Sequence, residues 1–234
     1  MRCLLRMKTA ARVRLGHPSY SQEGEDRILS RIFDGQRTGF YVDIGSHHPF
    51  RFSNTYLFYR RGWRGINIDA MPGSMVVFKR HRQRDINLEM GIASSAGQSI
   101  FFLFKEPAFN TFDRALAQKR VSDGCALLGE RIVEVRPLRE VLDRYLDPHQ
   151  RIDFMSIDVE GLDLSVLESN DWFRFRPHFL MVESLQAGER PIAEDEVGRF
   201  LRSIGYVYFG KTVNTTFYRD SHFGPATVAA RERD

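Results

Sequence analysis

Four acidic side chains stand where short apolar runs end, and this placement is the strongest chemical signal in the chain. Gly39-Phe-Tyr-Val-Asp43-Ile-Gly45-Ser46-His47-His48-Pro49 runs from an apolar segment into a glycine turn. Gly65-Ile-Asn-Ile-Asp69 stops at a second acid, Ile152-Asp-Phe-Met-Ser-Ile-Asp158-Val-Glu160-Gly161 at a third, and residues 178–183 at Glu183. In open parallel sheets ligands bind beyond the carboxyl ends of the strands, so acids at four such ends predict one site. A strand-terminal acid can also cap the next helix. Four together exceed what capping or solubility requires.

The turn after Asp43 is not a phosphate loop. No Gly-x-Gly-x-x-Gly and no Gly-Lys-Ser/Thr follows any apolar run, which argues against ordinary dinucleotide and nucleotide cradles. An acid before the turn would repel a pyrophosphate and suits a cationic ligand, such as the amino group and sulfonium of S-adenosylmethionine. Gly45 lets backbone approach that ligand closely. Asp69 can accept two hydrogen bonds from a ribose diol, as acids do in related nucleoside sites.

Positioning four strand-end acids together takes a parallel sheet. Apolar runs at residues 39–45, 65–69, 85–92, 152–158 and 178–183 read as strands. Residues 54–61, 74–82, 162–170 and 193–204 carry mostly helical spacing. The alternation predicts an α/β fold with helices on both faces. Residues 206–209 and 214–218 form two strands around Gly210-Lys-Thr-Val, a hairpin that closes the sheet. Residues 95–135 break the pattern, with a strand-like run at 99–104 and a loop-like stretch at 121–130. They read as an insertion on the substrate side.

The chain has 234 residues, 42% of them hydrophobic and 27% charged, which suits one large domain and excludes a disordered or collagenous chain. No apolar run reaches the roughly 18 to 20 residues of a membrane helix. Cys3 and Cys125 make neither a metal spacing nor a disulfide framework, so a cytoplasmic setting is expected. Five bases, Arg2, Arg6, Lys8, Arg12 and Arg14, precede the first acid, Glu23. Residues 1–18 are read as a basic arm able to touch an anionic membrane surface weakly, 19–222 as the domain, and 223–234 as a tail. Without the arm the bases and acids nearly balance, which argues against a nucleic-acid partner.

The chain resembles the FkbM family of S-adenosylmethionine-dependent methyltransferases. The resemblance rests on Ser21-Gln-Glu-Gly-Glu-Asp26, Gly39-Phe-Tyr-Val-Asp-Ile-Gly-Ser46, Ser53-Asn-Thr55, Gly62-Trp-Arg-Gly-Ile-Asn-Ile-Asp69, Ile157-Asp-Val-Glu-Gly161, and Arg176-Pro177 leading into Val182-Glu183. It spans residues 19–219 in order. The second strand ends Asp69-Ala-Met-Pro72 where Glu-Pro is common in the family, and His47-His48 falls at a variable position.

The resemblance implies a class I methyltransferase Rossmann-like fold, a seven-stranded mostly parallel sheet with a C-terminal antiparallel hairpin. It also implies methylation of a hydroxyl on a hydroxylated small molecule or glycan. Acceptors in such enzymes include sugar residues of glycolipids, of lipo-oligosaccharides (fucose of a nodulation signal, for example) or of polysaccharides, with polyketides as the alternative. Carried onto this chain, Asp43, Gly45 and Ser46 line the methionine end of the cofactor and Asp69 holds the ribose. Met90, Gly91 and Ile92 flank adenine, and Gln22, Asn54 and Thr55 add contacts.

An alcohol becomes a good nucleophile when a base takes its proton, an effect worth roughly 10²- to 10⁴-fold. Asp158 is the first candidate base, followed by Glu160 and His47; His48, Asn110, Thr111 and Glu183 are candidate substrate contacts. Asp158, Glu160 and Glu183 also offer hard oxygen ligands for Mg²⁺. The aromatic run Phe101, Phe102 and Phe104 suits a core or a sugar platform. Two other classes remain open: a nucleic-acid methyltransferase, and a binding module without turnover.

Overall fold

The computed structural model describes residues 18–183 and 195–223. The basic arm before Pro18, the first residues of the segment 193–204 and nearly all of the tail lie outside them. The elements run α1 (Glu25–Ile32), β1 (Phe40–Ile44), α2 (Tyr56–Arg60), β2 (Arg64–Asp69), α3 (Ser74–His81), β3 (Ile86–Glu89), β4 (Gly91–Ile92) and β5 (Gly97–Phe104). A 3-10 turn at Pro107–Phe109 precedes α4 (Arg114–Ser122), β6 (Leu127–Arg136), α5 (Leu138–Tyr145), β7 (Phe154–Ile157), α6 (Asp163–Glu168) and β8 (Phe179–Glu183). Then come α7 (Glu196–Ser203), β9 (Tyr206–Lys211) and β10 (Thr215–Asp220).

The main sheet has seven strands in the order β3-β2-β1-β7-β8-β10-β9. The first five are parallel, and β10 runs antiparallel to both β8 and β9, which gives the expected closing hairpin. Every residue of β1 and β7 is buried, as continuous apolar runs require in strands covered on both faces. One face packs Val42, Ile44 and Ile66 on Leu138 and Val141 of α5, Val166 of α6 and Leu201 of α7. The other packs Tyr41 and Phe154 on Leu29 of α1, Phe33 just after it, Phe58 of α2, and Trp63.

The segment expected as one strand over 85–92 divides at Met90. β3 joins the main sheet, while β4 pairs with β6 in a second, three-stranded sheet ordered β4-β6-β5. The loop expected over 121–130 shrinks to residues 123–126, between the end of α4 and the start of β6. α4 buries only Ala117 and so shows no amphipathic stripe, and β6 is held by its long ladder with β5. Phe102 and Phe104 pack with Ala117 as a small core of their own. Helix α5 follows Leu138, Val141 and Leu142 at helical spacing.

A buried cation organises the floor beneath β1 and β2. Arg82, fully buried, donates from Nε to Asp85 Oδ2 at 2.9 Å, from Nη1 to the Pro49 carbonyl at 3.0 Å, and from Nη2 to Tyr41 Oη and Thr55 Oγ1 at 2.8 and 2.9 Å. Asp85 in turn accepts from the Gly65 amide at 2.9 Å, Tyr41 Oη at 2.7 Å and Asn67 Nδ2 at 3.0 Å. Removing one partner of such a pair strands the other charge away from water. Arg82→Met is expected to lower unfolding free energy by about 3–5 kcal/mol, with Arg82→Met/Asp85→Asn recovering part of the loss. Urea denaturation of the single and double variants measures both.

Candidate active site

A cavity of about 270 Å³ opens beyond the carboxyl ends of β1, β2, β7 and β8, and Asp43, Asp69, Asp158 and Glu183 all line it. The four strand-end acids therefore converge. Glu160 is a fifth carboxylate on the same wall, and Arg120 of α4 is the cavity's cation. Residues of the 95–135 segment, including Phe101, Phe109, Asn110 and Phe112, form one side of its lining.

Asp43 accepts from Thr55 Oγ1 at 2.9 Å, and Thr55 is itself held by Arg82. Burial pushes the Asp43 carboxyl up to about 6, opposed by the Thr55 hydrogen bond and the Arg82 charge. Gly45 has φ +81°, and a Cβ there would lie 1.7 Å from the Asp158 carbonyl oxygen. The β1 turn thus packs directly on the β7 turn, an approach open only to glycine. The amides of Gly45 and Ser46 donate to the Ile68 carbonyl at 2.9 and 3.1 Å, locking that turn to β2.

Asp69 is held by two backbone amides: Oδ2 accepts from His47 and Oδ1 from Met71, each at 2.8 Å. Burial raises its pKa, opposed by those bonds. Each oxygen keeps a further lone pair for a ligand. Gln22 and Asn54 line the cavity, Asn54 Nδ2 donating to Ser156 Oγ at 3.0 Å. Met90, Gly91 and Ile92 line a smaller recess of about 30 Å³ that shares Gly45 and Asp69 with the main cavity.

Asp158, Glu160 and Glu183 present carboxylate oxygens within 4.8 Å of one another. Burial, then the charges of Glu183, Glu160 and Asp163, pushes Asp158 well above the carboxylate range. Burial and repulsion from Glu160 and Asp163 likewise raise Glu183, to about 8. Glu183 Oε2 is buried with no hydrogen-bond partner among the described residues. Burial raises Glu160 too, while its ion pair with Arg120 pulls it down. Three described non-glycine residues, His47, Phe52 and Glu160, have left-handed backbones with φ between 52° and 55°, and all three line the cavity. Strain of this kind persists where surrounding structure over-determines it.

The other expected contacts fall elsewhere. Thr55 lies behind Asp43 rather than on the cavity. His48 is also off the lining, its Nδ1 accepting from the amides of Phe50 and Arg51 at 3.2 and 3.1 Å. Asn110 reaches the wall, but its Oδ1 accepts from the Phe104 amide at 2.8 Å. Thr111 Oγ1 donates to the Glu160 carbonyl at 3.1 Å and so holds the strained turn. His47 does line the cavity, and burial lowers its pKa.

This constellation can be set beside known proteins. Residues 43–208 match the methyltransferase FkbM domain, most of the chain. The chain belongs to the FkbM methyltransferase family. No curated protein matched. Among solved structures, the chain is similar to the crystal structure of a candidate RNA methyltransferase from Pyrococcus horikoshii. The TM-score is 0.43 at 10% identity, over 87% of this chain and 91% of that one.

Membership makes S-adenosylmethionine the methyl donor, and the residues of this methyltransferase fit it. The anionic wall complements a sulfonium and an ammonium, Gly45 leaves the approach a side chain would fill, and Asp69 keeps acceptor capacity for a ribose. Sequence reasoning missed Arg120, which lies in the segment 95–135 read only as an insertion, and Phe52 and Ser156, which no motif marks. It also missed Arg82, one base in a basic run.

Two outcomes follow from this geometry. Gly45→Ala adds about 1–2 kcal/mol of left-handed strain to a clash with Asp158, and S-adenosylhomocysteine binding by calorimetry is expected to be lost. In metal-free buffer, folded Glu183 keeps its proton up to about pH 8, whereas the ordinary value is 4.5. The folded state binds more protons in that window, so its stability declines as pH rises from 4.5 to 8. Thermal melts across that window should slope downward, and Glu183→Gln should flatten the slope.

Proposed function

We propose that this methyltransferase methylates a hydroxyl oxygen of a neutral sugar residue on a glycolipid, lipo-oligosaccharide or polysaccharide. The observation that carries the reading is the Asp158–Glu160–Glu183 cluster, buried carboxylates with raised proton affinity beside the cofactor-binding turn. A carboxylate near its own pKa at working pH is suited to take an alcohol proton. The exposed rings of Phe52 and Phe109 (42% and 39%) at the cavity offer faces for a pyranose. Five carboxylates against one arginine would repel phosphates and other anionic acceptors, which disfavours a nucleic-acid substrate. A polyketide hydroxyl fits the same chemistry as an alternative acceptor.

Bound S-adenosylmethionine supplies an electrophilic methyl group. Asp43, Gly45 and Ser46 would hold its methionine end, Asp69 would accept from the ribose hydroxyls, and Met90–Ile92 would flank the adenine. Asp158 removes the acceptor proton at its carboxylate. Glu183 shares that proton within the pair, and Glu160, steadied by Arg120, orients the acceptor. Glu160 and then His47 are the further candidate bases, and burial favours the neutral form of His47. The same three carboxylates could instead hold Mg²⁺ and acidify the hydroxyl through it. Among the described residues no helix is long and apolar enough to cross a membrane. A cytoplasmic setting is part of the proposal.

Calorimetric titration with S-adenosylhomocysteine, with and without Mg²⁺, separates the metal-free from the metal-assisted route. Asp158→Asn should keep cofactor affinity and lose about 10²- to 10⁴-fold in kcat on a labelled-methyl screen of neutral sugars and glycolipids. Unchanged turnover in that variant would move the base to Glu160 or His47. Turnover restricted to RNA would sink the sugar reading.

A further inference from the structure

The near balance of charge outside the arm hides a segregation. Residues 51–84 hold eight bases, Arg51, Arg60, Arg61, Arg64, Lys79, Arg80, Arg82 and Arg84, against one acid, Asp69, which faces the cavity. Arg82 is buried on Asp85, and Arg51 reaches Glu106 at 3.7 Å. The other six are exposed, and none makes an ion pair among the described residues.

Several of them meet around Tyr59. Arg60 and Arg61 follow it at the end of α2, and the Arg84 guanidinium lies 3.9 Å from its ring centroid while donating to its carbonyl. Arg61 Nη2 donates to Ser30 Oγ of α1 at 2.8 Å, and Arg60 lies over the Tyr20 ring. Lys79 and Arg80 occupy the last turn of α3, just before Arg84. Helices α2 and α3 begin beside the cavity, at Asn54 and Met71. At about 1.5 Å per residue, Arg80 lies roughly 9 Å along α3 from its first residue, Ser74. The cations therefore gather at the ends of these helices away from the site.

We infer that this cationic face docks on an anionic phospholipid bilayer. Val76 and Val77, 70% and 40% exposed, stand on the same helix as Lys79 and Arg80, a mixture suited to a lipid interface. The aromatic rings in the patch are already covered: Tyr59 by Arg82 and Arg84, Tyr20 by Tyr56 and Arg60. That leaves none free to stack on bases, as single-stranded nucleic-acid surfaces require. The inference does not rest on the acceptor proposed above.

The test is co-sedimentation of the full chain with phosphatidylcholine vesicles, alone or carrying about 30% phosphatidylglycerol, at about 0.1 M salt. Binding is expected only to the anionic vesicles. Each neutralised surface cation should lower the partition coefficient about fivefold, so Arg60→Gln/Arg61→Gln/Lys79→Gln/Arg80→Gln should lose more than about a hundredfold. Unchanged S-adenosylhomocysteine affinity and melting temperature in that variant establish that fold and cofactor site are intact. Equal partition on neutral vesicles overturns the inference. So does wild-type partition by the variant with loss only on deleting residues 1–17, which would assign binding to the arm. Tighter retention of an RNA oligomer than of anionic vesicles at the same salt also overturns it.

Discussion

The active-site end of this molecule depends on a guanidinium that water does not reach. Arg82 joins the loop at Pro49, Tyr41 of β1, Thr55 at the start of α2, and Asp85 at the entry to β3. Asp85 extends the same network to the amide of Gly65 and the side chain of Asn67 in β2. Two adjacent strands and the helix between them thereby share one electrostatic node. Replacing the whole Arg82–Asp85 pair by apolar residues of similar volume could stabilise the fold as well, but it could not hand a hydrogen bond through Thr55 to Asp43. The buried pair fixes where the first acid of the site stands.

The second constraint is the close seating of the β1 turn on the β7 turn. Because Gly45 has no side chain, the Asp158 carbonyl approaches it directly, and Asp43 and Asp158 end on the same cavity. Bringing five carboxylates together is electrostatically unfavourable, and the protein answers in three ways. Backbone amides hold Asp69, Arg120 pairs with Glu160, and the Asp158–Glu183 pair holds on to a proton more tightly than free carboxylates would. The same unfavourable balance that lowers stability toward alkaline pH creates groups with proton affinities useful near neutrality. Left-handed His47, Phe52 and Glu160 indicate that the backbone around the cavity is also held away from its local minima.

Much of this was legible in residue order. Apolar runs ending in Asp43, Asp69, Asp158 and Glu183 disclosed both the strands and the site, because a strand buried on both faces leaves its polar residues at its ends. The hairpin at 206–218 was legible from two short apolar and aromatic runs around Gly210-Lys-Thr-Val. What escaped depended on contacts distant in sequence. β6 is largely exposed and exists through pairing with β5, while α4 lacks a buried stripe. Arg120 belongs to the site because α4 folds back onto the Glu160 turn, 40 residues away. His48 and Thr111 carry side chains that could serve a substrate, yet nearby backbone groups claim their polar atoms. Residue type sets what a side chain can do; competition from local donors and acceptors decides what it is free to do.

Net charge misleads in the same way. A body with nearly equal numbers of acids and bases suggests a featureless field, but here the acids concentrate in the cavity and the bases at the ends of α2 and α3. The separation matters because charges interact strongly only within about 8 Å in physiological salt. The bases at the ends of α2 and α3 stand outside the cavity lining, whose carboxylates complement a sulfonium. Were Arg60, Arg61 or Arg80 placed at the mouth, they would weaken cofactor binding and lower the proton affinity of Asp158 and Glu183. A cavity lined by acids and a face lined by bases can share one small domain when they occupy different ends of its helices, and the order of the residues along α2 and α3 sets that arrangement.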